Sequence, residues 1–586
     1  MQVAKTSVAL ALFLIGCAPS ATKTGLATVV PLDARANPAA WPVSASPAAI
    51  SDPTTESAIN DLLARMTVEQ KVGQLIQADI SAIKAEDLEK YPLGSILAGG
   101  NSGPYGDERA SAAKWRQLVR EFRAASSKSG ARIPILFGVD AVHGHSNLPG
   151  ATIFPHNIGL GAARDVDLIE RIGAATAAEI SGSGIEWTFA PTLAVPQDLR
   201  WGRTYEGYSS DPALIARYAR AMTLGLQGRL VAGAPLDANR VAATAKHFLA
   251  DGGTVDGRDQ GDARISEAEL VATHAAGYPA AIDAGALTVM ASFSSWNGIK
   301  NHGNRSLLTD VLKDRMGFTG LVVGDWNGHG QVAGCSATDC ASAINAGLDL
   351  FMAPDSWKGL YDSTLKSVRD GQIPAARIDD AVRRILRVKF KLGLMGDAPT
   401  IRGDTSLVGA ADHLALAREA VSKSLVLLKN DQGTLPIRKG ARVLIAGAGA
   451  DNMAMQAGGW TIHGRARIRK PKIFATARQS AARFRMRSWQ MAGQRHFHRR
   501  GHSMPNPMSP SLSSAKNPMP NLKATFPIWR SGRSRATLND RAPEITGYPY
   551  CRRVPFGSPD VCRKPDQSGR CLCRGMAAGH TGARCC

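Results

Sequence analysis

LVVGDW (321–326) is three aliphatic residues closed by glycine, aspartate and tryptophan. A run so short and so apolar fits a strand covered on both faces, with its first polar group where the chain leaves the core. The same outline recurs upstream in GSILAG (94–99), IPILFGVD (133–140), WTFAPTLAV (187–195), VAATAKHF (241–248) and LTVMASFSS (287–295). Amphipathic stretches separate these runs, among them VDLIERIGAATAAEI (166–180) and DPALIARYARAMTLGLQ (211–227). Apolar strands alternating with helices predict a parallel sheet. Residues 51–395 give enough chain for a (β/α)8 TIM-type barrel with insertions. An open doubly wound sheet is the alternative.

The flanks extend this plan. ESAINDLLARMTVEQKVGQLIQ (56–77) holds two amphipathic helical stretches, and Thr67 with Gln70 fits a capping box. RIDDAVRRILRVKFKLGL (377–394) reads as the closing helix of the barrel. Residues 396–411 are the linker to a second α/β unit, at 412–462. In it LALAREAVSKSLVLLKN (414–430) is a helix running into a strand, and ARVLIAGAGAD (441–451) is a further strand ending in glycines. The glycines of GAGAD do not meet the G-x-G-x-x-G spacing of a dinucleotide loop. No metal, nucleotide or redox cofactor motif stands out.

Polar residues gather at the ends of the apolar runs, the end of a barrel that carries chemistry. Asp140 ends IPILFGVD, Arg203 follows in RWGR, Lys246 and His247 end ATAKHF, and Asp325 ends LVVGD. One such residue alone reads as a helix cap, and His247 alone as a structural histidine; five on one rim point to a site. Trp326 beside Asp325 offers an aromatic platform of the kind on which sugars stack. Adjacent residues of a regular strand point to opposite faces, so Lys246 and His247 both face a ligand only if the strand ends or bulges there.

Five segments carry a family resemblance: GVDAVHGHSNLPGATIFPHNIGLGAARD (138–165), LRWGRTYEGYSSDP (199–212), AKHFLADGGTVDGRDQGD (245–262), MASFSSWNGIKNHGN (290–304) and GFTGLVVGDWNG (317–328). In this order they resemble glycoside hydrolase family 3, nearest its exo-β-glucan glucohydrolases and β-glucosidases. The resemblance runs from about residue 55 to Ile462. It implies a retaining exo-acting β-glucosidase that releases glucose from β-glucosides or β-glucans, built as a barrel followed by an α/β sandwich domain that is incomplete here. Asp325 matches the nucleophile. Asp140, Arg203, Lys246 and His247 match the groups that grip the sugar hydroxyls. Met290 and Trp326 match apolar walls, and Phe293 stands where relatives often carry tyrosine. A subgroup acting on N-acetylhexosaminides has a single barrel and a histidine-bearing loop after KHF; this chain reads KHFLADGGTVDG there and departs from it.

After Ile462 the composition changes. Residues 463–586 hold 25 of the 70 basic residues and 4 of the 49 acidic ones, so residues 1–462 hold 45 of each and the whole net charge of +21 lies in the tail. Six of the nine cysteines fall in 551–586. A basic, cysteine-rich module for nucleic acid or zinc is one reading, but CLC and a terminal CC match no standard zinc spacing. In the family the proton donor lies in a segment like GExPYAE, which the tail lacks. Back-translation of HGRARIRKPKIF (463–474), read two nucleotides later, permits WQGTNTKAEDF; PMSPSLSSAKNPMPN (507–521) permits DVAVVVFGEKPYAE at the same offset. Two family motifs in one shifted frame lead to the expectation that 463–586 is out-of-frame translation. The tail is then expected to be disordered, its charge needs no nucleic-acid partner, and its cysteines need no metal.

The N-terminus reads as an export signal. Lys5 precedes VALALFLIG (8–16), which is too short to span a bilayer, and LIGC (14–17) resembles a bacterial lipobox with Cys17 as the lipidated residue. Ordinary signal cleavage near Ala18–Ser20 is the alternative. Residues 18–50, rich in Ala, Pro and Ser, read as a tether. A periplasmic or membrane-anchored protein follows, with membrane contact only through the anchor. In such a compartment Cys335 and Cys340, in GCSATDC, are expected to pair. Against the β-glucosidase stands a glycan-binding remnant that keeps the hydroxyl grips without the acid. Resequencing codons 455–525 is expected to reveal a single-nucleotide loss near codon 463; an uninterrupted frame would count against the shift.

Overall fold

The computed structural model describes residues 34–396 and 399–461. The signal segment with Cys17 and the basic tail 463–586 lie outside them. The barrel strands are β1 (Ile76–Asp79), β2 (Ser95–Ala98), β3 (Leu136–Val139), β4 (Trp187–Thr188), β5 (Thr244–Phe248), β6 (Thr288–Ala291), β7 (Leu321–Val323) and β8 (Phe351–Met352). All pair in parallel. One sheet runs β8–β1–β2–β3–β4 and another β5–β6–β7. Parallel bridges join them at both margins: Trp187 to Ala242 and Thr192 to Lys246 between β4 and β5, and Val323 to Leu350 between β7 and β8. The order therefore closes on itself, and the open-sheet alternative does not apply. A small sheet of Asp262–Ala263, Ser295–Trp296 and Ile299–Lys300 lies outside the barrel.

The sequence reading placed six of the eight barrel strands. It missed β1, which follows the helix Val68–Gln74 so closely that the helical pattern ran into it, and β8, which pairs over only two residues. The expected capping box is formed, with Thr67 N–H donating to Gln70 Oε1 at 3.0 Å and Gln70 N–H to Thr67 Oγ1 at 3.3 Å. The strong helical patterns appear as Val166–Gly182, Pro212–Gln227 and Ala375–Lys391.

Polar stitches inside the barrel fix the strand register. Trp187 Nε1 donates to Thr244 Oγ1 at 2.9 Å and to Thr288 Oγ1 at 3.1 Å, tying β4, β5 and β6 in one layer. At the β7–β8 margin the buried Asp349 accepts from Val322 N–H at 2.8 Å and from Lys313 Nζ at 2.6 Å. Each of these buried polar groups thus has a partner, without which its burial would be costly.

The flanks depart from expectation in two places. Residues 34–50, read as a tether, pack against the barrel. Trp41 and Ile50 are buried, Trp41 Nε1 donates to Glu267 Oε1 at 2.7 Å, and Arg315 Nε donates to Trp41 O at 2.9 Å. Two large apolar side chains outweigh the loop-like composition around them. In the second unit the helix forms, as Ala411–Ser424, and docks on the barrel flank through buried Ala420, an Arg171–Glu419 pair at 2.7 Å and a His413–Glu179 contact at 2.9 Å. The strands predicted after it do not form: Leu425–Leu428 and Leu444–Ile445 are exposed and unpaired. A strand gains its stability from neighbours and a covering layer, and the described residues supply neither.

Lys389, on the helix Ala375–Lys391, is fully buried with Gln74 Oε1 at 2.7 Å. Burial pushes its ammonium down to about 7. Its unfolded value is near 10.5, so the unfolded chain binds the extra proton between pH 7 and 10.5, and stability rises with pH across that window. Lys389→Met in the full chain is expected to raise unfolding free energy by roughly 1–3 kcal/mol at pH 7. The gain should shrink toward pH 10 in urea titrations.

Candidate active site

The rim residues are assembled where strands end. β5 carries one residue more than β6 between their paired positions: Ala245 pairs Val289 and Phe248 pairs Ala291, so Lys246 and His247 stand opposite the single Met290. This irregularity answers the alternation problem. Lys246 Nζ reaches Asp140 Oδ1, just beyond β3, at 3.0 Å. His247 accepts on Nε2 from Arg203 Nη2 at 3.3 Å, while its Nδ1 donates to Asp251 Oδ2 at 2.8 Å. Asp325 Oδ2 lies 3.7 Å from His247 Nε2.

Arg203 lies in the loop after β4, which Trp201 anchors through Nε1 to Asp259 Oδ1 at 3.1 Å. Its guanidinium grips Glu206 with two bonds, at 2.9 and 3.0 Å. Burial opposes charge on both partners, but their mutual attraction wins: Arg203 is raised above its ordinary value and Glu206 is held at about 2. The pair stays ionised at any working pH.

Asp325 follows β7 in a turn held by Gly324 N–H to Leu350 O at 2.9 Å and Asn327 N–H to Met352 O at 3.0 Å. Its own N–H donates to His302 Nε2 at 2.9 Å, and His302 Nδ1 donates to Ser292 O at 3.0 Å. Acceptance at Nε2 needs a neutral ring with its proton on Nδ1, and burial pushes His302 down to about 4. Gly328 allows that ring its place, since a Cβ there would lie 2.5 Å from it. Of the Asp325 carboxylate oxygens, Oδ1 accepts from Trp326 N–H at 2.7 Å, whereas Oδ2 is buried and has no hydrogen-bond donor among the described residues.

The apolar residues named from sequence frame this cluster. Trp326 lies over Gly99, where a Cβ would come within 2.3 Å of the indole, and it remains 41% exposed. Met290 is buried on β6, and Phe293 is half-buried with its ring 6.1 Å from that of His302. Cys335 and Cys340 are joined as a disulfide in the loop after Asp325. Sequence reasoning did not single out Glu206, Asp251, His302 or Trp460. Glu206 and Asp251 stand three and four residues after a residue that was named, a signal that was available. Trp460, whose Nε1 donates to Glu206 Oε1 at 3.0 Å, comes from far along the chain and had no local mark. Among the described residues no group of three His, Cys, Asp or Glu could hold a metal ion, and no helix is long and apolar enough to cross a membrane.

The family model described as glycosyl hydrolase family 3 N terminal domain matches residues 67–388. The chain belongs to glycosyl hydrolase family 3. Family 3 relatives include a periplasmic beta-glucosidase of Salmonella typhimurium, 31% identical over 69% of this chain and 52% of its own. A lysosomal beta glucosidase of Dictyostelium discoideum is 28% identical, with the same coverage. Among solved structures, an exo-1,3/1,4-beta-glucanase from a Pseudoalteromonas species is 51% identical with a TM-score of 0.68, covering 71% of this chain and 53% of that one. A beta-glucosidase from Listeria innocua in complex with glucose is 27% identical with a TM-score of 0.60, covering 70% and 57%. The chain spans about half the length of the curated relatives it matches.

Buried histidines also set an acid limit. His143, whose Nδ1 donates to Phe154 O at 2.8 Å, and His302 are both held at about 4 by burial, so the unfolded chain takes up their protons first as pH falls from 6.5. Glu206, depressed to about 2, adds a further loss from about pH 4.5 downward. Unfolding free energy is expected to fall by roughly 2–3 kcal/mol per histidine between pH 7 and 4. His302→Gln, which keeps an acceptor for the Asp325 N–H, should flatten that slope in denaturant titrations.

Proposed function

We propose that this chain carries the barrel of a retaining, exo-acting β-glucosidase that releases glucose from the non-reducing end of β-glucosides or β-glucans, with Asp325 as nucleophile. The observation that carries the reading is Asp325 Oδ2: a buried carboxylate oxygen with no donor among the described residues, beside His247 and an exposed indole. An oxygen so held keeps its lone pairs for an electrophile. It attacks the anomeric carbon, the glycosidic C–O bond breaks, and a glucosyl ester forms. The leaving oxygen takes a proton, and water then cleaves the ester with retention. Asp140, Lys246, Arg203 and His247 offer fixed acceptors and donors for the hydroxyls, held before the sugar arrives. The glucose-bound Listeria innocua enzyme and the beta-glucosidase relatives support glucose as the sugar.

The proton donor is a separate matter. A retaining enzyme needs a second carboxyl about 5–5.5 Å from the first. The other carboxylates of the site are engaged: Asp140 with Lys246, Asp251 with His247, and Glu206 with Arg203. Glu206, held at about 2, has no proton to give near neutrality. These pairings support an acid that belongs beyond residue 462, in the part of the sequence that reads as out of frame, where the incomplete second domain would have continued. General acid help is worth roughly 10²–10⁴-fold. The chain as written should therefore be weak on cellobiose, yet turn over aryl glucosides whose leaving groups need no proton. Equal rates on both would count against the missing acid.

The same pairings favour a second reading, a glycan-binding remnant. The two separate cleanly. With a 2-fluoro-glucoside bearing a good leaving group, intact-protein mass should show one glucosyl adduct, mapped to Asp325. Asp325→Asn should abolish the adduct and lower aryl-glucoside turnover by roughly 10³-fold or more. Saturable glucose binding with neither adduct nor turnover would support the remnant. The export signal at the N-terminus, with Cys17 as lipid anchor, and the periplasmic Salmonella typhimurium relative together support a periplasmic or membrane-anchored location.

A further inference from the structure

After the helix Ala411–Ser424 the chain turns away from the barrel, and Leu428 and Leu444 stand about nine-tenths exposed. Four residues then return to the rim. His156 Nε2 donates to Gly459 O at 2.7 Å, Thr461 Oγ1 donates to Gly458 O at 2.9 Å, and Thr461 is buried. The two glycines are required by close approach. Gly458 has φ +73°, and a Cβ on it would stand 2.9 Å from His156 Cε1. A Cβ on Gly459 would stand 2.5 Å from the Tyr205 hydroxyl.

This landing brings Trp460 to Glu206. Glu206 Oε1 receives both the Trp460 indole N–H and Arg203 Nε, while Oε2 receives Arg203 Nη2. That same Nη2 donates to His247 Nε2, which stands 3.7 Å from Asp325. The Trp460 ring also lies 6.0 Å from Lys246 Nζ, within reach of a cation–π attraction. One indole is therefore tied to both cations of the site, to Lys246 through its ring and to Arg203 through Glu206.

We infer that Gly458–Thr461 is a strap over the rim and that Trp460 is a positioning residue, setting Arg203 through Glu206 and Lys246 through its ring face. The inference rests on the β-glucosidase reading and adds a specific control to it. Arg203 has a rotatable side chain whose direction is set by the carboxylate it grips. Glu206 in turn has its plane fixed by a third donor that comes from outside the barrel. Without the indole N–H, the carboxylate and guanidinium turn together, and the hydroxyl contacts loosen while Asp325 stays in place. Affinity for the sugar then depends on a segment some 250 residues away in sequence, at the far end of the described chain.

The test uses the full chain, with calorimetric glucose binding and aryl β-glucoside kinetics. Trp460→Phe keeps a ring and removes the donor. It is expected to weaken glucose binding and raise KM by about tenfold, with kcat within about twofold, as for loss of one hydrogen bond to a charged group that acts on binding alone. Gly459→Ala should reproduce the effect by lifting the strap from the Tyr205 hydroxyl. Tyr205→Phe alone should change little, and added to Gly459→Ala it should recover most of the lost affinity, a rescue that general loosening of the fold would not give. Wild-type glucose affinity in Trp460→Phe or Gly459→Ala, or failure of that rescue, overturns the strap and leaves the reading of Asp325 standing. A parent chain that neither binds glucose nor turns over the aryl glucoside overturns both.

Discussion

The site depends on one extra residue in β5. A regular strand beside β6 would have sent Lys246 and His247 to opposite faces, one into the site and one out toward the helices. With two residues set against Met290, both turn into the mouth. Lys246 can then hold Asp140 just beyond β3, and His247 can bridge Arg203, in the loop after β4, to Asp325 after β7. Four strands of the barrel thus converge through a local irregularity in one of them. Bulges are common beside active sites because they re-aim a side chain at little cost to the ladder.

A second constraint is charge pairing. Beside Asp325 the mouth gathers three carboxylates, Asp140, Glu206 and Asp251, and two cations in a largely buried volume. The arrangement is tolerable because each cation has its own carboxylate partner. The ordering leaves Asp325 without a cation of its own: its neighbours are a backbone N–H and two histidines, of which His302 is neutral. A carboxylate gripped by arginine would be a poor nucleophile, because its lone pairs would be committed. The same pairing that isolates Asp325 removes the other carboxylates from acid duty.

At the far end of the described chain the helix Ala411–Ser424 is docked by ion pairs and two buried side chains, while the apolar runs after it have no covering layer among the described residues, and the chain meets the rim again at Gly458–Thr461. Exposed runs such as Leu425–Leu428 are a liability for solubility. The return matters more for the site than its length suggests, since it delivers an indole that the barrel does not own.

Sequence alone determined the alternation of buried strands and helices, and with it a parallel α/β fold, because each strand is apolar on both faces and each helix on one. It also placed Asp140, Lys246, His247 and Asp325 on one rim, because each ends an apolar run, with Arg203 in the loop that follows another. Family resemblance gave those residues their expected roles. Composition did not reveal that residues 34–50 pack, because burial there rests on single side chains such as Trp41. Nor did local pattern reveal β1, into which the helical pattern of Val68–Gln74 runs, or β8, which pairs over only two residues. Only the tertiary structure decided which carboxylate is paired and which is free, how β5 turns two neighbours the same way, and that Trp460 reaches Glu206. The contacts that decide this join residues as far apart as Trp460 and Glu206, and no local spacing encodes them; they exist because barrel closure brings distant chain ends to one mouth.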